Sequence, residues 1–219
     1  MRKMLTPRVK ILVALTVFLV IILSVFFYVE NSRSHPDLSR LALVGDSITQ
    51  ITSYPDQLQS LIGLNSTIGN FGASGSTVTL NSIEPYLTNC SMQLLQDFQP
   101  TTVVVMLGTN DARSDVYPFI DRFIDDYKEL VFFLKSLESD PQIFLVIPPP
   151  IYDNNINLSS ENFTLGIIPR IEEVAKELNL PIIDVYTHML YHPDYFVDGV
   201  HPNHDGAKII ADVIYSKIT

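Results

Sequence analysis

Five short runs rich in Val, Ile and Leu, at residues 41–44, 67–71, 102–107, 143–147 and 182–185, are continuous in their apolar character rather than alternating. Strands of that kind need cover on both faces, a condition met by a parallel sheet between two layers of helix. The segments between them carry a helical period: Ile120, Phe123, Ile124, Tyr127, Leu130 and Leu134 in one, Ile167, Ile171, Val174 and Leu178 in another, Ile210, Val213 and Ile214 in the last. Strand and helix alternate, so the expected fold is a three-layer α/β/α sandwich with a central, mainly parallel sheet and right-handed crossovers. A length of 219 residues suits one such domain.

Ahead of it, residues 11–29 are almost wholly apolar and carry no charge between Lys10 and Glu30. As a helix, such a run reaches about 28 Å at a rise of about 1.5 Å per residue, close to the thickness of a bilayer core. Arg2, Lys3, Arg8 and Lys10 precede it, so the positive-inside rule holds the N-terminus in the cytoplasm and exports the rest. A cleaved signal peptide and a buried core helix are the competing readings. The first lacks a small-x-small site after the run, and the second lacks a polar face. The expected organisation is a cytoplasmic N-terminus at 1–10, a transmembrane anchor at 11–29, a polar linker at 30–39 and a catalytic domain at 40–219.

Export agrees with the tripeptides at Asn65, Asn89, Asn157 and Asn162, which match the N-glycosylation acceptor pattern. Cys90 is the single cysteine, so no internal disulfide can form. The formal net charge of -10 argues against nucleic acid as a partner and against docking on anionic lipid head groups.

Four polar islands interrupt the apolar pattern: Gly45-Asp46-Ser47-Ile48-Thr49, Asn70-Phe71-Gly72-Ala73-Ser74-Gly75, Gly108-Thr109-Asn110-Asp111 and Asp198-Gly199-Val200-His201. The first three follow the first three strands. They therefore lie at the carboxyl edge of the sheet, where open α/β sheets bind ligands. The fourth precedes a C-terminal helix that Asn203 or Asp205 can cap, and that helix must pack back on the sheet. The islands hold the parts of an acyl-transfer site. A serine hydroxyl needs a base, and the base needs a partner that fixes its tautomer; Ser47, His201 and Asp198 fill these roles. The oxyanion of a tetrahedral intermediate needs preset donors, for which the Ser47 amide, the Gly75 amide and the Asn110 side chain are candidates. Each island alone also reads as an ordinary turn or cap.

In order and spacing the four blocks, headed by Ser, Gly, Asn and His, resemble the SGNH (GDSL) hydrolases over residues 40–219. The resemblance implies a flavodoxin-like sandwich and an ester hydrolase that needs no cofactor and no metal. It implies Ser47 as nucleophile, Asp198 and His201 as its partners, and Ser47, Gly75 and Asn110 as oxyanion donors. Gly75 is preferred to Gly72 because the family uses the later glycine of its second block. Ile48 stands where many members carry Leu. Asp46, Asn70 and Asp111 read as orienting or capping residues behind the reacting groups. The grouping of His201, His204 and Asp205 could suggest a metal site, but the family uses none and no further clustered ligands are present.

The wording of the islands is similar to members that remove acetyl groups from sugars, so a small ester, of the acetylated-glycan kind, is the expected substrate. A lysophospholipase or thioesterase of the same family, and a surface binding module that keeps the fold without turnover, are the rivals. Arg113 and Pro148-Pro149-Pro150-Ile151-Tyr152 follow strands, so they line the cleft or form a solvated charge and a rigid turn. Phe132-Phe133 reads as core. His188 and His192 carry no signal.

Overall fold

The computed structural model describes residues 13–24 and 36–219. Its folded domain is Asp37–Thr219. In chain order the domain contains β1 (Arg40–Gly45), α1 (Ser47–Ile51), α2 (Tyr54–Ile62), β2 (Thr67–Gly72), α3 (Ser91–Phe98), β3 (Thr102–Met106), α4 (Phe123–Lys135), β4 (Gln142–Ile147), α5 (Ile168–Glu177), β5 (Ile182–Asp184) and α6 (His204–Ile218). The strands form one sheet in the order β2-β1-β3-β4-β5, and every pairing is parallel.

Side chains alternate across each strand, which divides the core in two. Ala42, Val44, Val103 and Val105 face a cluster completed by Leu95 of α3, Tyr127 and Leu130 of α4 and Ile171 of α5. Leu41, Leu43, Val104 and Met106 face the other, with Ile48 of α1, Leu58 of α2 and Ile210 and Ile214 of α6. The chain steps from β1 to β2 in one direction with α2 on one face, then from β3 to β5 in the other with α4 and α5 on the opposite face. The switch falls between β1 and β3, where such sheets open a crevice beyond their strand ends. Register places Gly45 level with both Gly72 and Met106, so the loops after β1, β2 and β3 leave the sheet side by side.

Continuous burial holds for β1, β3 and β4, whose residues after the first are all buried. It does not hold for β2, where Thr67 and Asn70 are exposed, nor for β5, because both lie at sheet edges. Phe132 also departs from the core reading. It is 55% exposed on the outer side of α4, while Phe133 packs partly against the core. Asn203, not Asp205, caps α6: its side chain accepts from the Asp205 and Gly206 amides.

The folded domain takes in residues assigned to the linker, since the Asp37 carbonyl accepts from the Thr101 and Thr102 hydroxyls. Of the apolar run at 11–29, residues 13–24 form a helix with exposed side chains, and the rest lie outside the described residues. Among the described residues no helix is long and apolar enough to cross a membrane.

Candidate active site

Strand β1 ends at Gly45, and Asp46 then caps α1, its Oδ1 accepting from the Ile48 amide at 2.9 Å. The cap puts Ser47 at the first helical position, where a main-chain amide has no partner within the helix. The same turn aims the Ser47 hydroxyl outward, with Oγ 2.9 Å from Nε2 of His201. On the other side of the ring, Nδ1 lies 2.7 Å from Oδ2 of Asp198. An ionised carboxylate can only accept, which assigns the proton to Nδ1 and turns the Nε2 lone pair toward Ser47.

Asp198 and His201 sit on one tight turn. Oδ1 of Asp198 accepts from the Val200 amide at 3.0 Å and the His201 amide at 2.7 Å, and the Val197 amide donates to the His201 carbonyl. Gly199 adopts φ +84°, and a Cβ there would collide with the Asp153 carbonyl, so the turn requires glycine. Burial would raise the Asp198 carboxyl, but the His201 amide, the His201 ring and the Val200 amide together hold it below the usual carboxylate range. The carboxylate is therefore charged where the imidazole needs it.

Opposite this turn, Asn110 is 8% exposed, and its Nδ2 donates to the Ser76 carbonyl at 3.0 Å. That bond uses one of two amide hydrogens and orients the other. Gly75 has φ +79°, and its amide has no acceptor among the described residues. The loop that carries it is tied down from beneath. Asp111, 1% exposed, accepts from the Val78 amide at 2.9 Å and from the Thr79 amide at 2.8 Å. Burial pushes its carboxyl up, against the pull of those amides. Asn70 braces the same loop against α1, donating to the Thr49 carbonyl and accepting from the Gly72 amide, both at 2.9 Å.

Beneath the serine, burial pushes the Asp46 carboxyl up to about 6, against the Ile48 amide, the neighbouring Thr109 hydroxyl and the nearby His201 ring. Its second oxygen, Oδ2, and Thr109 Oγ1 are both buried without a well-formed hydrogen bond among the described residues.

Ser47, Asp198 and His201 are thus in contact at the carboxyl edge, Gly75 and Asn110 lie on the loops that leave the same edge after β2 and β3, and Asp46, Asn70 and Asp111 hold these loops from behind. Other residues singled out in the sequence are held by partners of their own. Arg113 pairs with Asp115 at 2.6 Å. Pro148, Pro149 and Pro150 are buried, and Tyr152 anchors the base loop rather than the cleft: its amide donates to the Gly199 carbonyl at 2.8 Å, and its hydroxyl to the Met189 carbonyl at 3.0 Å. His204 faces Ser53 and Gln57.

One supporting residue is not apparent from the motifs. Asp126, 1% exposed on α4, accepts from the Leu80 amide at 2.8 Å and extends the hold of Asp111 along the same loop. Its signal is positional: Phe123, Asp126, Tyr127 and Leu130 share one helical stripe, so a carboxylate there must find a buried partner.

The arrangement can deprotonate a hydroxyl and hold a negative oxygen next to it. A family model described as GDSL-like lipase/acylhydrolase matches residues 43–209. An acetylxylan esterase of Xylanibacter ruminicola is 32% identical over 211 residues, covering 83% of this chain and 43% of that protein. The thioesterase 1/protease 1/lysophospholipase L1 of Escherichia coli K12 is 28% identical over 121 residues, covering 54% of each. The chain thus spans about half the length of the curated relatives it matches. Among solved structures, a carbohydrate acetylesterase family member from Sinorhizobium meliloti shares the fold, with a TM-score of 0.64 at 18% identity, covering 82% of this chain and 97% of that one.

Proposed function

Because the chain belongs to the GDSL-like lipase/acylhydrolase family, we propose that it is a serine ester hydrolase acting on acetyl esters of carbohydrate. The observation that carries the reading is the chain of contacts from Asp198 through His201 to the Ser47 hydroxyl, at 2.7 and 2.9 Å. Ser47 Oγ attacks the ester carbonyl while His201 Nε2 takes its proton. The amides of Ser47 and Gly75 and the Asn110 side chain receive the negative oxygen of the tetrahedral intermediate. His201 then returns the proton to the departing alcohol, leaving an acyl-serine. Water, deprotonated by the same ring, releases the acid and restores the serine.

The acetyl-glycan substrate is supported by the acetylxylan esterase relative, which matches 83% of this chain. The Escherichia coli relative supports a second reading, a thioesterase or lysophospholipase with longer acyl groups. Acyl-chain length separates the two.

Residues 11–29 anchor the enzyme in a membrane, with the N-terminus cytoplasmic and the domain exported. This reading is supported by Arg2, Lys3, Arg8 and Lys10 ahead of the apolar run and by the outward apolar side chains of residues 13–24, with Phe18 63% and Val20 62% exposed. A membrane-impermeant fluorophosphonate added to intact cells labels the native protein in the membrane fraction and leaves Ser47→Ala unlabelled. Equal labelling of the two proteins removes Ser47 as nucleophile. Labelling of the purified protein but not of cells removes the exported topology. Nitrophenyl esters of increasing acyl length, assayed on the purified protein, are cleaved fastest as the acetate; a preference for long chains favours the second reading.

A further inference from the structure

Next to Gly75 the surface sinks into a cavity of about 440 Å³ that the mechanism above leaves unused. Its wall combines polar side chains, among them Gln50, Ser74 and Glu84, with the apolar Ile83 and Pro85, and Cys90 lies at its margin. Two of these side chains are set in complementary senses. The Gln50 carbonyl accepts from both the amide and the hydroxyl of Ser74, so its NH₂ group is left as a donor. The Glu84 carboxylate lies against Gly75, so close that a Cβ on that glycine would collide with Oε2. Its backbone is held in register, since the Thr77 amide donates to the Glu84 carbonyl at 3.1 Å and the Tyr86 amide to the Thr77 carbonyl at 2.9 Å.

Such a wall discriminates between ligands. An alkyl chain would take water from the Glu84 carboxylate and return no hydrogen bond, a costly exchange. An anion would meet like charge. A neutral polyol both donates and accepts, so it satisfies a carboxylate and an amide together, and a hydroxyl bonded to a carboxylate is among the stronger neutral-ligand contacts. Adjacency to Gly75 puts the ligand beside the position of the reacting ester oxygen.

Resting on the hydrolase reading above, we propose that this cavity is the sugar subsite, in which Glu84 and Gln50 hold hydroxyls of a neutral glycosyl unit while its acetyl ester faces Ser47. Glu84 then selects the substrate: it favours neutral sugars over lipid chains and over acidic sugars.

Glu84→Gln tests this, because the side chain is exposed and the change keeps its shape. On an acetylated xylo-oligosaccharide, KM rises by about fivefold to tenfold as a charge-assisted hydrogen bond becomes a neutral one. On nitrophenyl acetate, which has no sugar, kcat/KM rises by about twofold to threefold, because a negative charge near the developing oxyanion is gone. Opposite movement on the two esters is the expected signature; a parallel fall on both, or an unchanged KM for the sugar ester, overturns the proposal. Cys90, the single cysteine, gives a readout independent of turnover. Deacetylated xylo-oligosaccharide slows its alkylation by iodoacetamide in the native protein and less so in Glu84→Gln. Protection by a monomeric lysophospholipid but not by the sugar makes the cavity an acyl site and overturns the assignment. If fluorophosphonate labels Ser47 while the sugar protects nothing, the subsite fails and the hydrolase reading stands; if Ser47 is not labelled, both fail.

Discussion

The side of the site proposed to hold the oxyanion rests on buried carboxylates, whereas the side proposed to supply the base rests on an exposed turn. Asp46 and Asp111 are each 1% exposed, while the side chains of His201 and Asp198 are 20% and 43% exposed. Asp46, Asp111 and Asp126 all accept from main-chain amides, and in doing so they fix the loops that present Ser47 and Gly75. Asp198 also accepts main-chain amides, but those of its own turn. Donors for an oxyanion must be held before charge develops, so their supports are locked into the core. A base must move a proton and recover, and a self-contained turn on the surface is enough to aim it.

Activity and stability should therefore come apart on one side and fall together on the other. His201→Ala should lower kcat by a factor on the order of 10⁴ to 10⁶, the usual cost of losing the base of a coupled set. Its unfolding midpoint in urea should barely move, because the atoms it leaves unpaired are in reach of water. A His201→Ala protein that is inactive because it fails to fold would break the contrast.

Asp111→Ala should do the reverse first. It leaves the Val78 and Thr79 amides buried without acceptors, at about 1 to 3 kcal/mol for each, so a loss of about 4 kcal/mol in the free energy of unfolding is expected. Activity falls with it, since Gly75 belongs to the loop that Asp111 holds. If calorimetry and urea titration found native stability, the carboxylate would not be the support described above.

These two sides also differ in how far they can be read from the chain. Ser47, Asp198 and His201 lie in short motifs whose chemistry is carried by residue type, and the strand ends that gather them follow from the uninterrupted runs of β1 and β3. Reading residues 67–71 as one continuous apolar run passes over Thr67, Gly69 and Asn70, which mark β2 locally as an edge strand. Partners distant in sequence are hidden. The stripe of Phe123, Tyr127 and Leu130 marks Asp126 as buried but does not say what it bonds: besides Arg122 four residues earlier, its nearer partner is the Leu80 amide, 46 residues away. Tyr152 looks like a cleft residue because it follows a strand, but its bonds to Gly199 and Met189 turn it into a brace. Phe132 resembles a core residue until the helix is built, because adjacent aromatics on a helix point in two directions and only Phe133 meets the core.

Titration gives the finest test, because Asp46 and Asp198 should change stability with pH in opposite senses. The Asp46 carboxyl is raised from 3.8 to about 6, so the folded protein holds that proton more tightly than the unfolded chain. Its contribution is full below the unfolded value and is lost as pH rises through the folded one. Asp46→Asn keeps an oxygen for the Ile48 amide and removes the titration. The variant should therefore gain on the native protein by about 3 kcal/mol between about pH 4 and pH 7, since each pH unit separating the folded and unfolded values is worth about 1.4 kcal/mol. Asp198 is lowered, so its contribution is present above the unfolded value and disappears as pH falls through the folded one. Asp198→Asn should therefore lose ground to the native protein as pH rises, by a smaller amount because the group is exposed to solvent. Urea titrations of the three proteins across about pH 2 to 8 measure both slopes, that of Asp198 below about pH 4 and that of Asp46 above it. Slopes of the same sign would mean that the carboxylate under the serine and the one beside the histidine are held by the same physics, and the division between a locked side and a free one would no longer stand.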